Sequence, residues 1–359
     1  MKVAFVTRSS LFSLSGGDTL QVLNTAKYLR KLNVTVDIKL TNKQINYQEY
    51  DLLHFFSLVR PSDILPHIRK SKKPFIVTPL LIDYSEFDKQ YRKGISGKIF
   101  RFFSTDQIEY LKTIARWAKR QQRLGSYVYL VKGQRTSIKD ILRKAALILP
   151  NSAMEYEQLT RLYAIAPPYN IVPNGIDADL FRRSCNVEKD KRMVISVARI
   201  EGLKNQVNLI KALNNSDYQL YIIGKPTINQ TTYYEECRRL AGKNIHFVNH
   251  IRQEELIPYY EKAKVHILPS WFETCGLSSL EAAAMGCNIV ITKKGYAPEY
   301  FQNHAFYCDP SSPVSIREAI LSASNTVVCT KLEQKIRSDF TWQNAAAITY
   351  EAYKKILPI

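Results

Sequence analysis

Two glutamates, Glu273 and Glu281, stand eight positions apart around one glycine in the stretch Trp271-Phe272-Glu273-Thr274-Cys275-Gly276-Leu277-Ser278-Ser279-Leu280-Glu281. Carboxylates accept hydrogen bonds from sugar hydroxyls, and the first amides of a helix attract an anion. Gly276 lets a ligand approach the backbone, and the N–H groups of Leu277 and Ser278 follow it at the helix start. From the helix, Glu281 can turn back to a ribose, while Glu273 on the loop meets whatever the anion carries. A phosphorylated sugar nucleotide fits this arrangement. The competing reading is a surface helix with two solvated glutamates.

A second group lies in Val194-Ile195-Ser196-Val197-Ala198-Arg199-Ile200-Glu201-Gly202-Leu203-Lys204. Arg199 closes a strand and Lys204 opens the next helix, so two cations are placed to neutralise a diphosphate. Taken alone, they are an ordinary surface pair. Pro173-Asn174-Gly175 is a tight turn, and the functional reading puts Asn174 at a cleft between domains. Gly16-Gly17 ends a Ser/Gly-rich loop before a helix, where the backbone can contact phosphate or sugar.

The elements that must carry these groups alternate along the chain. In the first half, strands are expected at Val3–Thr7, Val34–Leu40, Asp51–Phe56, Phe75–Pro79 and Ala145–Pro150. Helices are expected at Thr19–Leu32, with Asp18 and Gln21 as a capping box, at Thr105–Leu124 and at Ser152–Tyr163. A second series has strands at Ile171–Val172, Val194–Val197, Gln219–Ile223, Ile245–Val248, Val265–Leu268 and Asn288–Thr292. Its helices are Asn205–Leu213, Tyr233–Ala241, Glu254–Ala263 and Leu277–Met285, and Trp342–Ile356 ends the chain. Short apolar strands alternating with helices predict an α/β protein with a parallel sheet in each half. Ligands of such sheets bind beyond the strand C-termini.

The chain has 359 residues, 45% hydrophobic and 23% charged, with a formal net charge of +19. Residues 1–150 hold 27 Lys/Arg against 11 Asp/Glu, and the remainder 24 against 21. Between Lys89 and Arg143 there are 14 basic and 3 acidic residues among Phe100, Phe102, Phe103, Trp117, Tyr127 and Tyr129. Cations beside bulky aromatics suit an anionic membrane surface or a nucleic acid. The opening residues read as a strand rather than a signal peptide, and no run is long and apolar enough to span a bilayer. All six cysteines fall in the second half without metal-ligand spacing, which predicts reduced thiols in a cytoplasmic protein.

Taken together, these motifs resemble glycosyltransferase family 4, retaining enzymes of the GT-B fold. The glutamate pair with seven intervening residues is Glu273 and Glu281, the basic pair Arg199 and Lys204, the Asn-Gly turn Asn174-Gly175, and the N-terminal glycine loop Gly16-Gly17. The likeness is strong over 145–301, good over 1–32 and vague between 40 and 140. It implies two Rossmann-like, doubly wound parallel-sheet domains facing a central cleft. Residues 1–168 would form the acceptor domain and 169–340 the nucleotide-sugar domain, with 341–359 a helix crossing back to the first.

By the same resemblance, Arg199 and Lys204 hold the diphosphate leaving group and Glu273 contacts the donor sugar. Glu281 binds ribose, and Ile251 or Arg252 lies near the base. No metal or other cofactor is required, and the donor is a UDP- or GDP-sugar. The family often has a histidine after the fourth strand, but here Thr78-Pro79-Leu80-Leu81-Ile82-Asp83-Tyr84 contains none. No general base is assigned, because the departing phosphate can itself accept the acceptor proton.

The leading expectation is a glycosyltransferase on the inner face of the cytoplasmic membrane, extending a glycan or lipid-linked acceptor in bacterial surface polysaccharide synthesis. Arg116, Lys119, Arg120 and Arg123 would meet the anionic membrane or acceptor. Two alternatives stand beside it. A sugar phosphorylase or sugar-phosphate synthase on the same fold would use free phosphate or a small phosphorylated acceptor. A basic nucleic-acid-binding protein accounts for the charge but leaves Glu273 and Glu281 without a role, so no nucleic acid is expected.

Overall fold

A computed structural model describes residues 1–91, 100–120, 124–184, 187–227 and 230–357. The chain divides into two compact units, Met1–Asn174 with Trp342–Ile359, and Gly175–Thr341.

The first unit holds five parallel strands: β1 (Lys2–Thr7), β2 (Thr35–Leu40), β3 (Leu52–Phe56), β4 (Phe75–Thr78) and β5 (Leu147–Ile148). Their order is β2-β1-β3-β4-β5. β3 and β4 are buried along their whole length, as near-continuous apolar runs require when both faces are covered. Ala4, Val6, Leu53, Phe55, Val77 and Ile141 fill one core layer. Strand order reverses between β1 and β3, and a crevice opens beyond strand C-termini at such a reversal.

Several elements differ from the sequence expectation for physical reasons. The helix Gly17–Lys31 is capped by Gly16 and Thr19, not by Asp18 and Gln21. Thr19 Oγ1 accepts the Gly16 N–H at 3.1 Å, while Asp18 is taken up by Arg8 at 2.6 Å. The basic helix Thr105–Ala118 stops short of Leu124, and a further helix, Val128–Lys144, contains Gly133 at φ 71°, which breaks the apolar period. Ile171–Val172 is not a strand. Tyr169 makes one bridge to Ile148, and the prolines at 167, 168 and 173 remove the donors a longer ladder needs.

The final helix Trp342–Ile356 belongs to the first unit and buries Trp342, Ala345, Ala346, Thr349, Ala352 and Tyr353, one face of a 3.6-residue period. Tyr353 Oη meets His54 Nδ1 at 2.7 Å, and Thr78 Oγ1 meets Nε2 at 2.8 Å. Burial holds the His54 pKa down to about 3, so its ring is neutral at physiological pH. His54 is thus a satisfied core residue.

The second unit holds β6 (Asp190–Val197), β7 (Gln219–Ile223), β8 (Ile245–Val248), β9 (Ala263–Leu268), β10 (Asn288–Thr292) and β11 (Phe306–Cys308). These strands are parallel in the order β11-β10-β9-β6-β7-β8. Met193, Ile195, Ile289 and Ile291 face one core layer, Val194, Val265, Ile267 and Val290 the other. Strand β11 and the helices Pro313–Asn325 and Thr330–Asp339 were not anticipated. Here the order reverses between β6 and β9. Among the described residues, no helix is long and apolar enough to cross a membrane.

Replacing Tyr353 by Phe leaves a buried imidazole nitrogen without its partner, which costs about 1–3 kcal/mol. The urea midpoint should fall with an unchanged slope. An unaltered midpoint would contradict this account of the His54 pocket.

Candidate active site

The loops that follow β6 and β9 meet where the second sheet reverses its order, the position at which α/β sheets bind ligands. They are laced together by backbone and side-chain bonds. The Trp271 N–H donates to the Leu203 carbonyl at 3.0 Å, and Ser278 Oγ donates to the Val197 carbonyl at 2.7 Å. Asn205 Nδ2 reaches the Pro269 carbonyl at 3.0 Å. The last turn of one loop and the helix start of the other are thereby fixed against the same strand end.

On this frame Lys204 Nζ forms an ion pair with Glu273 Oε1, which also accepts from Ser270 Oγ at 2.9 Å. Glu273 is buried, and the Lys204 side chain keeps 23% of its surface exposed. Arg199 Nη2 pairs with Glu201 at 2.9 Å, and its carbonyl accepts from Gln206 Nε2 at 2.9 Å. Lys204 and Glu273, 69 residues apart in the chain, are thus brought into contact.

Two glycines make the loop after β9 possible. Gly276 caps the helix Leu277–Ala284 at φ 66°, and a Cβ there would lie 3.1 Å from Ile291. Gly295 has φ 106°, and its Cβ would sit 2.0 Å from the Glu273 carbonyl oxygen. The Glu273 N–H donates to the Lys294 carbonyl at 3.0 Å and its carbonyl accepts from the Tyr296 N–H at 2.8 Å. Glu273 therefore has a fixed backbone. The first intrahelical bonds are those of Ser279 and Leu280 to the Gly276 carbonyl, so the amides of Gly276, Leu277 and Ser278 precede the ladder.

Glu281 lies one helical layer further in and is buried. Gln253 Nε2 donates to its Oε1 at 2.6 Å and Tyr260 Oη to its Oε2 at 2.9 Å. Burial pushes the Glu281 pKa up to about 7, against the opposing effect of these two donors. Gln253 and Tyr260 had not been anticipated as partners. They are two turns apart on the helix Gln253–Lys262, so they share a face. That spacing was visible in the sequence, but nothing marked the face as directed at a carboxylate.

The other expected residues lie as follows. Ile251 packs against the core and Arg252 is exposed, paired with Glu255 at 3.4 Å; the next residue, Gln253, ties this loop to Glu281. Gly16 and Gly17 begin the helix after β1 in the first unit. Asn174 is buried at the last position of that unit. On the helix Thr105–Ala118 and just beyond it, Lys119 and Arg120 are exposed, whereas Arg116 is half-buried with its Nε enclosed. Arg123 lies outside the described residues.

Residues 177–338 match the family model "Glycosyl transferases group 1". This segment belongs to the group 1 glycosyltransferases. The chain is 27% identical over 187 residues to an uncharacterised glycosyltransferase of Methanocaldococcus jannaschii, covering 48% of this chain and 47% of that one. It spans about half the length of the first curated relatives it matches. It is 24% identical over 325 residues, 82% of this chain and 83% of the relative, to the N-acetylgalactosamine-N,N'-diacetylbacillosaminyl-diphospho-undecaprenol 4-alpha-N-acetylgalactosaminyltransferase of Campylobacter jejuni.

Among solved structures, sucrose-phosphate synthase from Thermosynechococcus elongatus superposes with a TM-score of 0.74 at 17% identity, covering 99% of both chains. The Anabaena protein HepE, in complex with UDP and glucose, gives 0.68 at 16% identity, again covering 99% of both. The fold of the chain is therefore of the GT-B type, with two parallel-sheet α/β units.

Because the folded pKa of Glu281 is raised, its protonated form is the stabilised one. That contribution is complete below pH 4.5, the ordinary value, and is lost as pH rises through about 7. Relative to wild type, Glu281→Gln should therefore gain stability between pH 5 and pH 8, by about 3 kcal/mol at most. Denaturant titrations at both pH values measure the gain, and a pH-independent difference would contradict the raised pKa.

Proposed function

We propose that the protein transfers a sugar from a nucleotide-diphosphate donor to a glycan or lipid-linked acceptor, keeping the configuration of the anomeric carbon. The observation that supports this most is the convergence of a lysine, an arginine, a buried glutamate and a glycine-capped helix start at the reversal of the second sheet. In this reading the diphosphate takes the Lys204 ammonium from Glu273 and lies against Arg199 and the amides of Gly276, Leu277 and Ser278. The released Glu273 carboxylate then accepts from hydroxyls of the donor sugar. Glu281 accepts from the ribose.

Cleavage of the anomeric bond places charge on the departing diphosphate, and contacts that strengthen as this charge develops lower the barrier. Arg199 and Lys204 supply such contacts, so the reading requires no metal. The departing phosphate accepts the acceptor proton. The bound UDP of the Anabaena structure makes uridine nucleotides the first donors to test, with GDP-sugars beside them. The Campylobacter relative's name, with its diphospho-undecaprenol, supports a lipid-linked acceptor.

Such an acceptor calls for a protein held peripherally on the inner face of the cytoplasmic membrane. Phe102, Tyr127 and Val131 are 88%, 72% and 90% exposed, and Trp117 is partly exposed between neighbours that include Lys119 and Arg120. Exposed aromatic side chains beside cations match an anionic bilayer surface.

Lys204→Ala should lower turnover, followed as released nucleotide, on the order of a hundredfold. A near-normal rate would remove Lys204 from the site. In flotation with vesicles rich in anionic lipid, combining Phe102→Ser and Trp117→Ser with Lys119→Ala and Arg120→Ala should abolish recovery of the protein in the floating lipid fraction. Retained binding would reject the membrane reading.

A further inference from the structure

The loops of the candidate active site follow β6 and β9, and the opposite ends of the same two strands carry a second group of charges. Arg183 and Lys189 precede β6, and Lys264 is the second residue of β9. They meet at the turn 285–287, which ends the helix bearing Glu281.

Printed contacts place each of them there. Lys189 Nζ donates to the carbonyls of Tyr260 at 2.5 Å and Met285 at 2.7 Å, and lies 3.7 Å from Cys287 Sγ. Gly286, at φ 73°, leaves room for Arg183. A Cβ on Gly286 would be 3.1 Å from both Cδ and Nη1 of that side chain and 3.5 Å from its Cζ, so the guanidinium lies against the same turn. Cys287 Sγ also donates to the Ala263 carbonyl at 3.3 Å, which brings the residue before Lys264 to this turn. Along β9, His266 Nδ1 meets Ser279 Oγ at 3.2 Å on the helix Leu277–Ala284, while Val265 faces the other core layer. Lys264, two residues before His266, therefore extends on the helix side.

The three cations are not equally served. Lys189 has two carbonyls, one of them at a helix C-terminus, where a cation is favoured. Among the described residues, Arg183 and Lys264 have no hydrogen bond and no ion pair within 4 Å, and Arg183 Nε is enclosed. Lys264 is only 7% exposed. The nearby acids do not answer them. Glu261 accepts the Ser184 N–H at 3.2 Å and Asp190 the Arg192 N–H at 2.8 Å, and neither closes an ion pair with Arg183 or Lys264. Burial lowers the Lys264 pKa, and the charges of Lys191, Lys189 and Arg183 lower it further.

Like charges gathered without a counter-ion repel, and a half-buried guanidinium has five donors to satisfy. One oxyanion meets both demands, taking the Arg183 fork and the Lys264 ammonium together. The recess is small, with Lys264 almost covered. A terminal phosphate fits it better than the evenly spaced phosphates of a nucleic acid.

We propose that Arg183 and Lys264, beside Lys189, form an anion site at the end of the second sheet opposite the candidate active site, and that it binds a phosphate monoester. The site does not rest on the transferase reading. A soluble phosphorylated metabolite and a phosphatidate headgroup share this chemistry, and the test separates them.

The test is calorimetry with inorganic phosphate on the full chain carrying Lys204→Ala, which removes the phosphate contact proposed in the candidate active site. Adding Arg183→Gln or Lys264→Gln should weaken phosphate binding at least tenfold, as for loss of a charged hydrogen bond. Arg183→Lys should fall between, because the charge stays and the fork is lost. Lys243→Gln, which removes an exposed cation elsewhere in the unit, should leave the affinity within twofold. Affinities within twofold across the whole series, or an equal loss with Lys243→Gln, would overturn the site. Denaturant midpoints establish that the variants are folded.

Displacement of phosphate by glycerol 3-phosphate supports a soluble monoester. Binding to phosphatidate vesicles that Lys264→Gln weakens supports a headgroup. Failure of both would overturn the monoester assignment.

Discussion

The ion pair between Lys204 and Glu273 joins the two loops on which the rest of the site depends. A buried or half-buried ion pair is poor evidence of stability, because desolvation offsets most of its Coulomb gain. Its value here is positional. The pair closes a gap already drawn tight by the Trp271–Leu203 and Ser278–Val197 bonds, so the cation, the carboxylate and the helix start share one strand end. It also gives the resting protein a way to hold Lys204 oriented without a ligand. In the proposed transfer, an incoming diphosphate meets a cation whose partner is itself a hydrogen-bond acceptor suited to sugar hydroxyls.

Glu281 obeys a different constraint. It is enclosed by the helix Gln253–Lys262 and the start of its own helix, and burial outweighs two good donors, so its carboxyl titrates near neutrality. The covering helix makes the Glu281 environment polar on one side only. Backbone shape matters as much as charge. Gly276 at positive φ and Gly295 against the Glu273 carbonyl allow the loop after β9 to turn without strain, and neither tolerates a side chain.

Much of this was legible in the residues, and the parts that were not have identifiable causes. The strands at 219–223, 245–248 and 288–292 were read to their ends, because apolar runs bounded by polar turns leave little freedom. The final helix was placed at the same residues, Trp342–Ile356, and its buried face is periodic. Helix Pro61–Ser71 escaped because Pro66 interrupts its pattern, and Val128–Lys144 because Gly133 does. In the site, residue types close in sequence were informative, while long-range partners were not. Lys204 meeting Glu273, and Gln253 and Tyr260 meeting Glu281, depend on which faces the two core layers leave inward. Arg116, grouped in the sequence with exposed Lys119 and Arg120, turns inward on the helix they follow, which periodicity alone did not reveal.

The central claim is that a diphosphate displaces Glu273 from Lys204. A crystal structure of the chain with bound UDP or GDP tests it most directly. The account predicts β-phosphate oxygens within hydrogen-bond distance, about 2.7–3.2 Å, of Lys204 Nζ and of the amides after Gly276, with ribose hydroxyls on Glu281. A nucleotide bound elsewhere, with Lys204 still paired to Glu273, would contradict it.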